Sequence, residues 1–142
     1  MCLKNNGIWV KPYEQAHHHE AQMHTWLTAT WGQVDAPVPA EQGHYPTPLF
    51  ATDEQDQLLG TLTYTRTRHP DTPEPVIWVN TVYVDTAHRG KGVAQALIQQ
   101  AMTDNSTLWV LTEFPKLYSQ LGWRIHCEAD SETILQWGRL SA

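Results

Sequence analysis

The stretch Val82-Tyr83-Val84-Asp85-Thr86-Ala87-His88-Arg89-Gly90-Lys91-Gly92-Val93-Ala94 decides how the rest of the chain is read. It opens with β-branched and aromatic residues, passes through a tight basic loop with two glycines, and ends in an amphipathic run. The order is strand, turn, helix. The first amides of a helix are unpaired and lie at the positive end of its dipole, so they attract anions. Glycine allows positive φ and lets a ligand approach the main chain without meeting a Cβ. Arg89 and Lys91 place cations in the first turn, where the dipole alone disfavours them; an adjacent anion resolves that conflict. The pattern is an anion cradle, set against the alternative of a purely structural glycine turn. A Walker A loop is excluded, because no Gly-Lys-Ser or Gly-Lys-Thr follows a first glycine at a four-residue gap. A dinucleotide fingerprint fails because its third glycine would fall at Gln95.

Working outward, Val76 to Asp85 is apolar on both faces, with Ile77, Val79 and Tyr83 against Trp78, Val82 and Val84, so it belongs in the middle of a sheet. Gly92 to Met102 changes period: Val93, Ala94, Leu97, Ile98 and Ala101 face one way and Gln95, Gln99 and Gln100 the other, as in a helix. Upstream, Leu49–Asp53 and Leu58–Arg68 read as a hairpin across Glu54-Gln55-Asp56-Gln57. Ile8-Trp9-Val10 is a short strand ended by Pro12. Glu14 to Trp31 is a helix whose Met23, Trp26, Leu27 and Trp31 form a stripe, with Gly32 at its stop. Gly32 to Pro48 carries four prolines and is a long loop with room for one short helix near Ala40–Gly43. Downstream, Leu108–Leu111 is a buried strand and Pro115–Leu121 a short helix bounded by Pro and Gly122. Trp123–Cys127 and Thr133–Leu140 close the sheet.

A chain of 142 residues with 41% hydrophobic residues is the length of one domain, here 1–142, and has enough apolar matter for one core. No apolar run approaches the roughly 18 residues of a membrane span, and the polar start lacks a signal-peptide core. The expected setting is cytoplasmic, with no membrane partner. Cys2 and Cys127 make no disulfide framework and have no metal-ligand spacing. A net charge of −6, with nine scattered Lys and Arg, argues against nucleic acid and mildly favours a cationic acceptor.

Arg89-Gly90-Lys91-Gly92-Val93-Ala94 resembles the signature (Arg or Gln)-x-x-Gly-x-(Gly or Ala) of the GNAT superfamily of acetyl-CoA-dependent N-acetyltransferases. Thr112 to Trp123 resembles that family's second signature, in which an aromatic residue, here Tyr118, is followed four residues later by Gly122-Trp123. The two motifs cover about a third of the chain, and the element order fits the remainder. The resemblance implies a mixed, mostly antiparallel sheet of six to seven strands flanked by helices, an α+β type of α/β fold. The family's fourth and fifth strands splay apart there to hold acetyl-CoA.

It also implies roles. The amides of Gly90, Lys91, Gly92, Val93 and Ala94, with Arg89, would hold the pyrophosphate. The backbone of the Val82-Tyr83-Val84 strand would pair with pantetheine, and the Val82 amide would polarise the thioester carbonyl. Tyr118 matches the general acid for the departing thiolate; the alternative is a core tyrosine packed on Leu117 and Leu121. The position that carries Glu in histone-type members is Trp78, which cannot accept a proton. Asn80, two residues on and expected on the same face, can orient a water. Glu113 is the remaining carboxylate, set against a solvated strand-end charge or no dedicated base at all.

The implied acceptor is a small primary amine, bound by Trp31, Tyr45 and Trp78 with Asp35 and Glu41 nearby. The alternatives are a protein N-terminal or lysine acetyltransferase and a catalytically silent acyl-CoA-binding module. The chain would act as a monomer or homodimer with no metal. His17-His18-His19, Glu20 and His24 do not converge on a helical wheel, and a metal site needs three or four ligands that do.

Overall fold

The computed structural model describes residues 3–5, 7–32 and 46–139. Eight strands form one sheet: β1 (Leu3–Asn5), β2 (Ile8–Pro12), β3 (Leu49–Thr52), β4 (Leu58–Arg68), β5 (Pro75–Val84), β6 (Thr107–Thr112), β7 (Arg124–Glu128) and β8 (Thr133–Gly138). Their spatial order is β1-β2-β3-β4-β5-β6-β8-β7, and every neighbouring pair is antiparallel except β5 with β6. Seven of these strands make the expected mixed sheet. The eighth, β1, is a three-residue edge strand that turns back on β2 at Gly7 (φ 79°) and is too short to show a period.

The helix expected over Glu14–Trp31 is broken. A single turn, α1 (Tyr13–Ala16), passes into a 3₁₀ turn at His17–His19 before α2 (Glu20–Trp31) begins. The run of three histidines has poor helix propensity and lies where the chain bends. Met23 and Leu27 are buried against Phe50 and Leu58, Trp26 is half-buried, and Trp31 emerges at the end. The remaining helices are α3 (Val93–Asp104) and α4 (Pro115–Ser119).

The larger core lies on the other face of the sheet, where Val93, Leu97, Ile98 and Ala101 of α3 meet Val10, Leu62, Val79 and Leu108. Each fully buried Leu or Ile there contributes about 1.5–3 kcal/mol. Contact is closest at Gly60 on β4, where a Cβ would stand 2.8 Å from the Tyr83 carbonyl oxygen and 2.9 Å from a Val93 methyl.

One expectation about β5 is corrected. Its register against β4 slips between Thr63 and Tyr64, which pair with Thr81 and Val79, so Asn80 is the extra residue of a β-bulge. The bulge shifts the alternation by one. Ile77, Val79, Val82 and Val84 all face the α3 core, while Tyr83 faces α2. The expected grouping of Val82 and Val84 with Trp78 rested on an unbroken period of two, and it fails at Asn80.

Candidate acetyl-transfer cleft

The bulge is what opens the site. β5 and β6 pair only at Trp78↔Trp109 and Val79↔Val110, and the bulge turns β5 away from β6 at the next residue. Beyond it, Asp85 N–H donates to Leu59 O at 2.9 Å. With the antiparallel register, this bond sets the phase in which Tyr83 and Asp85 bond to β4. Val82 and Val84 therefore turn their amides and carbonyls toward the side that β6 has left. The Val84 carbonyl accepts from Arg89 Nε at 2.9 Å.

A cleft of about 740 Å³ fills the gap. Its wall runs from Ala94 at the start of α3 past Val82 to Asn80, Trp78 and Trp31, then to Glu113, Phe114 and Tyr118 on the opposite side. Of the expected site residues, Tyr118, Glu113, Asn80, Trp31, Trp78, Val82 and Ala94 come together here. Tyr45 lies outside the described residues, as do Asp35, Glu41 and the short helix expected near Ala40–Gly43.

The glycine turn adjoins the cleft at Ala94. Gly90 and Gly92 have φ of 78° and 86°, and a Cβ built on either meets no atom within 4 Å. Both residues therefore border open space. Gly92 caps α3 in the left-handed conformation, and the first intrahelical bond runs from Ala96 N–H to Gly92 O at 3.0 Å. The amides of Val93, Ala94 and Gln95 precede that bond and point out of the helix end. Arg89 is held on the Tyr83 ring, 5.4 Å from its centroid, which fixes a cation next to the turn. The half-buried Tyr83 side chain packs on Trp26 and Trp31, and Val93 is in the core, so any contact Val93 makes with a ligand goes through main chain.

Tyr118 is 3% exposed, with its ring against Trp123. Burial pushes its phenol well above the usual tyrosine range, and among the described residues its hydroxyl finds no hydrogen-bond partner. The phenol therefore stays neutral, on a residue that lines the cleft. Asn80 and Glu113 are exposed at the rim. Trp78 donates its indole N–H to Arg68 O at 3.2 Å, which holds the ring where family resemblance expects a carboxylate.

Sequence reasoning missed Glu132 and Phe114. Glu132 comes from the β7–β8 turn and reaches the cleft only because β8 lies beside β6. No one-dimensional spacing carries that information. Phe114 is 64% exposed, an unusual setting for an aromatic ring, and its position just before Pro115 was the available signal. Among the described residues lining the cleft, Glu113 and Glu132 are acidic and none is cationic. The N-terminus of α3 adjoins the cleft at Ala94, away from these two carboxylates in sequence and element.

No curated protein matches the chain in sequence. Solved structures share its fold at low identity. Arabidopsis thaliana NAA60 in complex with a bisubstrate analogue has a TM-score of 0.65 at 13% identity, over 92% of this chain and 97% of that one. A GNAT family acetyltransferase from Brucella melitensis in complex with acetyl-CoA has a TM-score of 0.66 at 13% identity, over 97% and 93%. YhbS from Escherichia coli, in complex with CoA, has a TM-score of 0.58 at 18% identity, over 95% and 81%. The model of the acetyltransferase (GNAT) family matches residues 9–104, which run from β2 through the bulged strand and the glycine turn to the end of α3. With two thirds of the sequence inside that match and the splayed strands where such a fold requires them, the chain belongs to the GNAT family of acyltransferases.

Proposed function

We propose that the protein transfers an acetyl group from acetyl-CoA to the primary amine of a small cationic or aromatic molecule. The observation that carries this reading is the continuity of one cleft from Ala94 at the α3 N-terminus to Tyr118, with Glu113 and Glu132 in its lining. The pyrophosphate would sit on the amides from Gly90 to Ala94, beside Arg89 and Lys91. Pantetheine would run along β5 as an added strand, using the outward main-chain groups of Val82 and Val84.

The amine attacks the thioester carbonyl carbon, and negative charge gathers on the carbonyl oxygen, which the Val82 N–H stabilises. Collapse of the tetrahedral adduct breaks the C–S bond and expels thiolate toward Tyr118. A phenol raised by burial is a weak acid and a persistent donor. It holds the thiolate by hydrogen bond, and the thiol gains its proton from solvent through that contact. The proton lost by the amine leaves through water oriented by Asn80 to Glu113 or to bulk solvent. Trp31 and Trp78 supply aromatic faces, and Glu113 and Glu132 supply the field that draws an ammonium in.

Single-turnover transfer from labelled acetyl-CoA to a panel of small amines, lysine peptides and peptide N-termini tests this reading. Transfer to small amines supports it. Transfer confined to peptides makes the protein a peptide acetyltransferase, and cofactor binding without transfer makes it an acyl-CoA-binding module.

A further inference from the structure

His18 and His19 of the 3₁₀ turn converge on Asp56, at the tip of the β3–β4 hairpin. None of the three lines the cleft. The helical wheel that spread the histidines apart omitted this turn, because Asp56 is distant in sequence. His18 Nε2 lies 2.6 Å from Asp56 Oδ2, and His19 Nε2 lies 3.3 Å from Oδ1. One ligand atom from each residue fits within 4.8 Å of the others. Two ligands on a tetrahedral ion, each at about 2.0–2.1 Å, stand roughly 3.3–3.4 Å apart. The His19–Asp56 spacing has that span, while the His18 contact is shorter and made to the other carboxylate oxygen, so the two histidines must shift to share one ion.

The support for these ligands is rigid where it matters. Asp53 Oδ1 accepts from the amides of Gln55 and Gln57, each at 2.9 Å, and holds Asp56 at φ 62°. The His19 side chain is only 10% exposed and packs near the Phe50 ring. His18 is open to solvent and gives an ion its entry path. Lys11 opposes binding, since its Nζ lies 3.0 Å from Asp56 Oδ1 and competes for the same oxygen.

We propose that His18, His19 and Asp56 bind one divalent transition-metal ion of the zinc class, displacing Lys11 and leaving further positions to water. Two imidazoles and one carboxylate suit such a borderline ion and are poor ligands for magnesium or calcium. The ion would cross-link the start of α2 to the β3–β4 hairpin, a role separate from acetyl transfer.

The test uses the tag-free chain, with Zn(II) in calorimetry and Co(II) in absorption spectroscopy. One ion per chain, tetrahedral Co(II) bands and a raised melting temperature with Zn(II) are expected. Asp56→Asn tolerates the positive φ, and His18→Gln alters an exposed side chain. Each should weaken binding by at least about tenfold, with circular dichroism unchanged. No saturable binding to the wild type, or wild-type affinity in either variant, overturns the proposal. If a ligand variant fails to fold, Lys11→Met decides: removing the competitor should tighten binding, and unchanged or weaker binding overturns the site.

Discussion

The Trp123 indole stands edge-on to the Tyr118 phenol, with ring centroids 5.1 Å apart and planes at 73°. The indole N–H in turn donates to the Met102 sulfur at 3.3 Å, so the aromatic pair is pinned to the end of α3. This clamp fixes the ring of a residue that lines the cleft.

Replacing Tyr118 with Phe keeps the clamp and removes only the donor. Turnover is expected to fall by about 10²–10³, the usual loss when a donor to developing negative charge is deleted. Acetyl-CoA affinity should stay within about twofold. Unchanged turnover, with chemistry shown to limit the rate, would return Tyr118 to a packing role.

Alkaline stability carries a second signature of the same burial. Tyr118 and Tyr64 both have phenols raised above their ordinary value of 10, in each case chiefly by desolvation. Above pH 10 the unfolded chain releases protons that the folded chain retains, so unfolding becomes easier as pH rises. The free energy of unfolding should fall above pH 10, by up to about 1.4 kcal/mol per pH unit for each tyrosine. Urea melts of wild type and Tyr118→Phe from pH 9 to 11.5 check this, and the variant should show the shallower decline.

Gly92 takes the left-handed conformation at the start of α3. A β-branched side chain at φ 86° is strained, and its Cβ would enter the open space proposed for the pyrophosphate. Gly92→Val should abolish the rise in melting temperature that acetyl-CoA gives the wild type, beyond any loss in the unliganded protein. A shift of wild-type size in the variant would place the anion elsewhere.

Most of this architecture was legible because the elements carry their own periods and punctuation. The α3 stripe, the glycine turn and Pro115 before α4 each state a local structure in residues a few places apart. The bulge at Asn80 left no such trace, since Trp78-Val79-Asn80-Thr81-Val82 reads equally well as flat strand. The slip shows only in the pairing with β4. Glu132 and the His18–Asp56 contact were hidden for a related reason: each depends on which strands lie side by side.

The acceptor end should respond to charge as well as to shape. Once an active amine is known, Trp31→Ala and Trp78→Ala should raise its KM several-fold more than that of acetyl-CoA, because each removes an aromatic face worth about 0.5–2 kcal/mol to a cation. Glu132→Gln should lower kcat/KM for a cationic amine at low salt and matter less as salt rises. Equal effects on both substrates would move the acceptor site away from this wall.

Gly60 offers a test of the fold alone. Ala there needs β4 or α3 to yield by several tenths of an ångström against backbone, and overpacking of this kind costs about 1–3 kcal/mol. Denaturant unfolding should show that loss. A neutral result would mean that the Tyr83 carbonyl on β5 and Val93 on α3 stand farther from Gly60 than 2.8 Å and 2.9 Å.

The two-pair ladder between Trp78–Val79 and Trp109–Val110 has a mechanical meaning. Strands β1 to β5 form one plate and β6, β8 and β7 another, riveted along the sheet at a single spot. The ladder at that seam holds two residue pairs, whereas β4 and β5 share nine, and the rest of the seam is bridged by the α3 core and by side chains such as His126 and Asp71. Of the described ladders this is the shortest, so anything lodged between the plates acts as a second rivet.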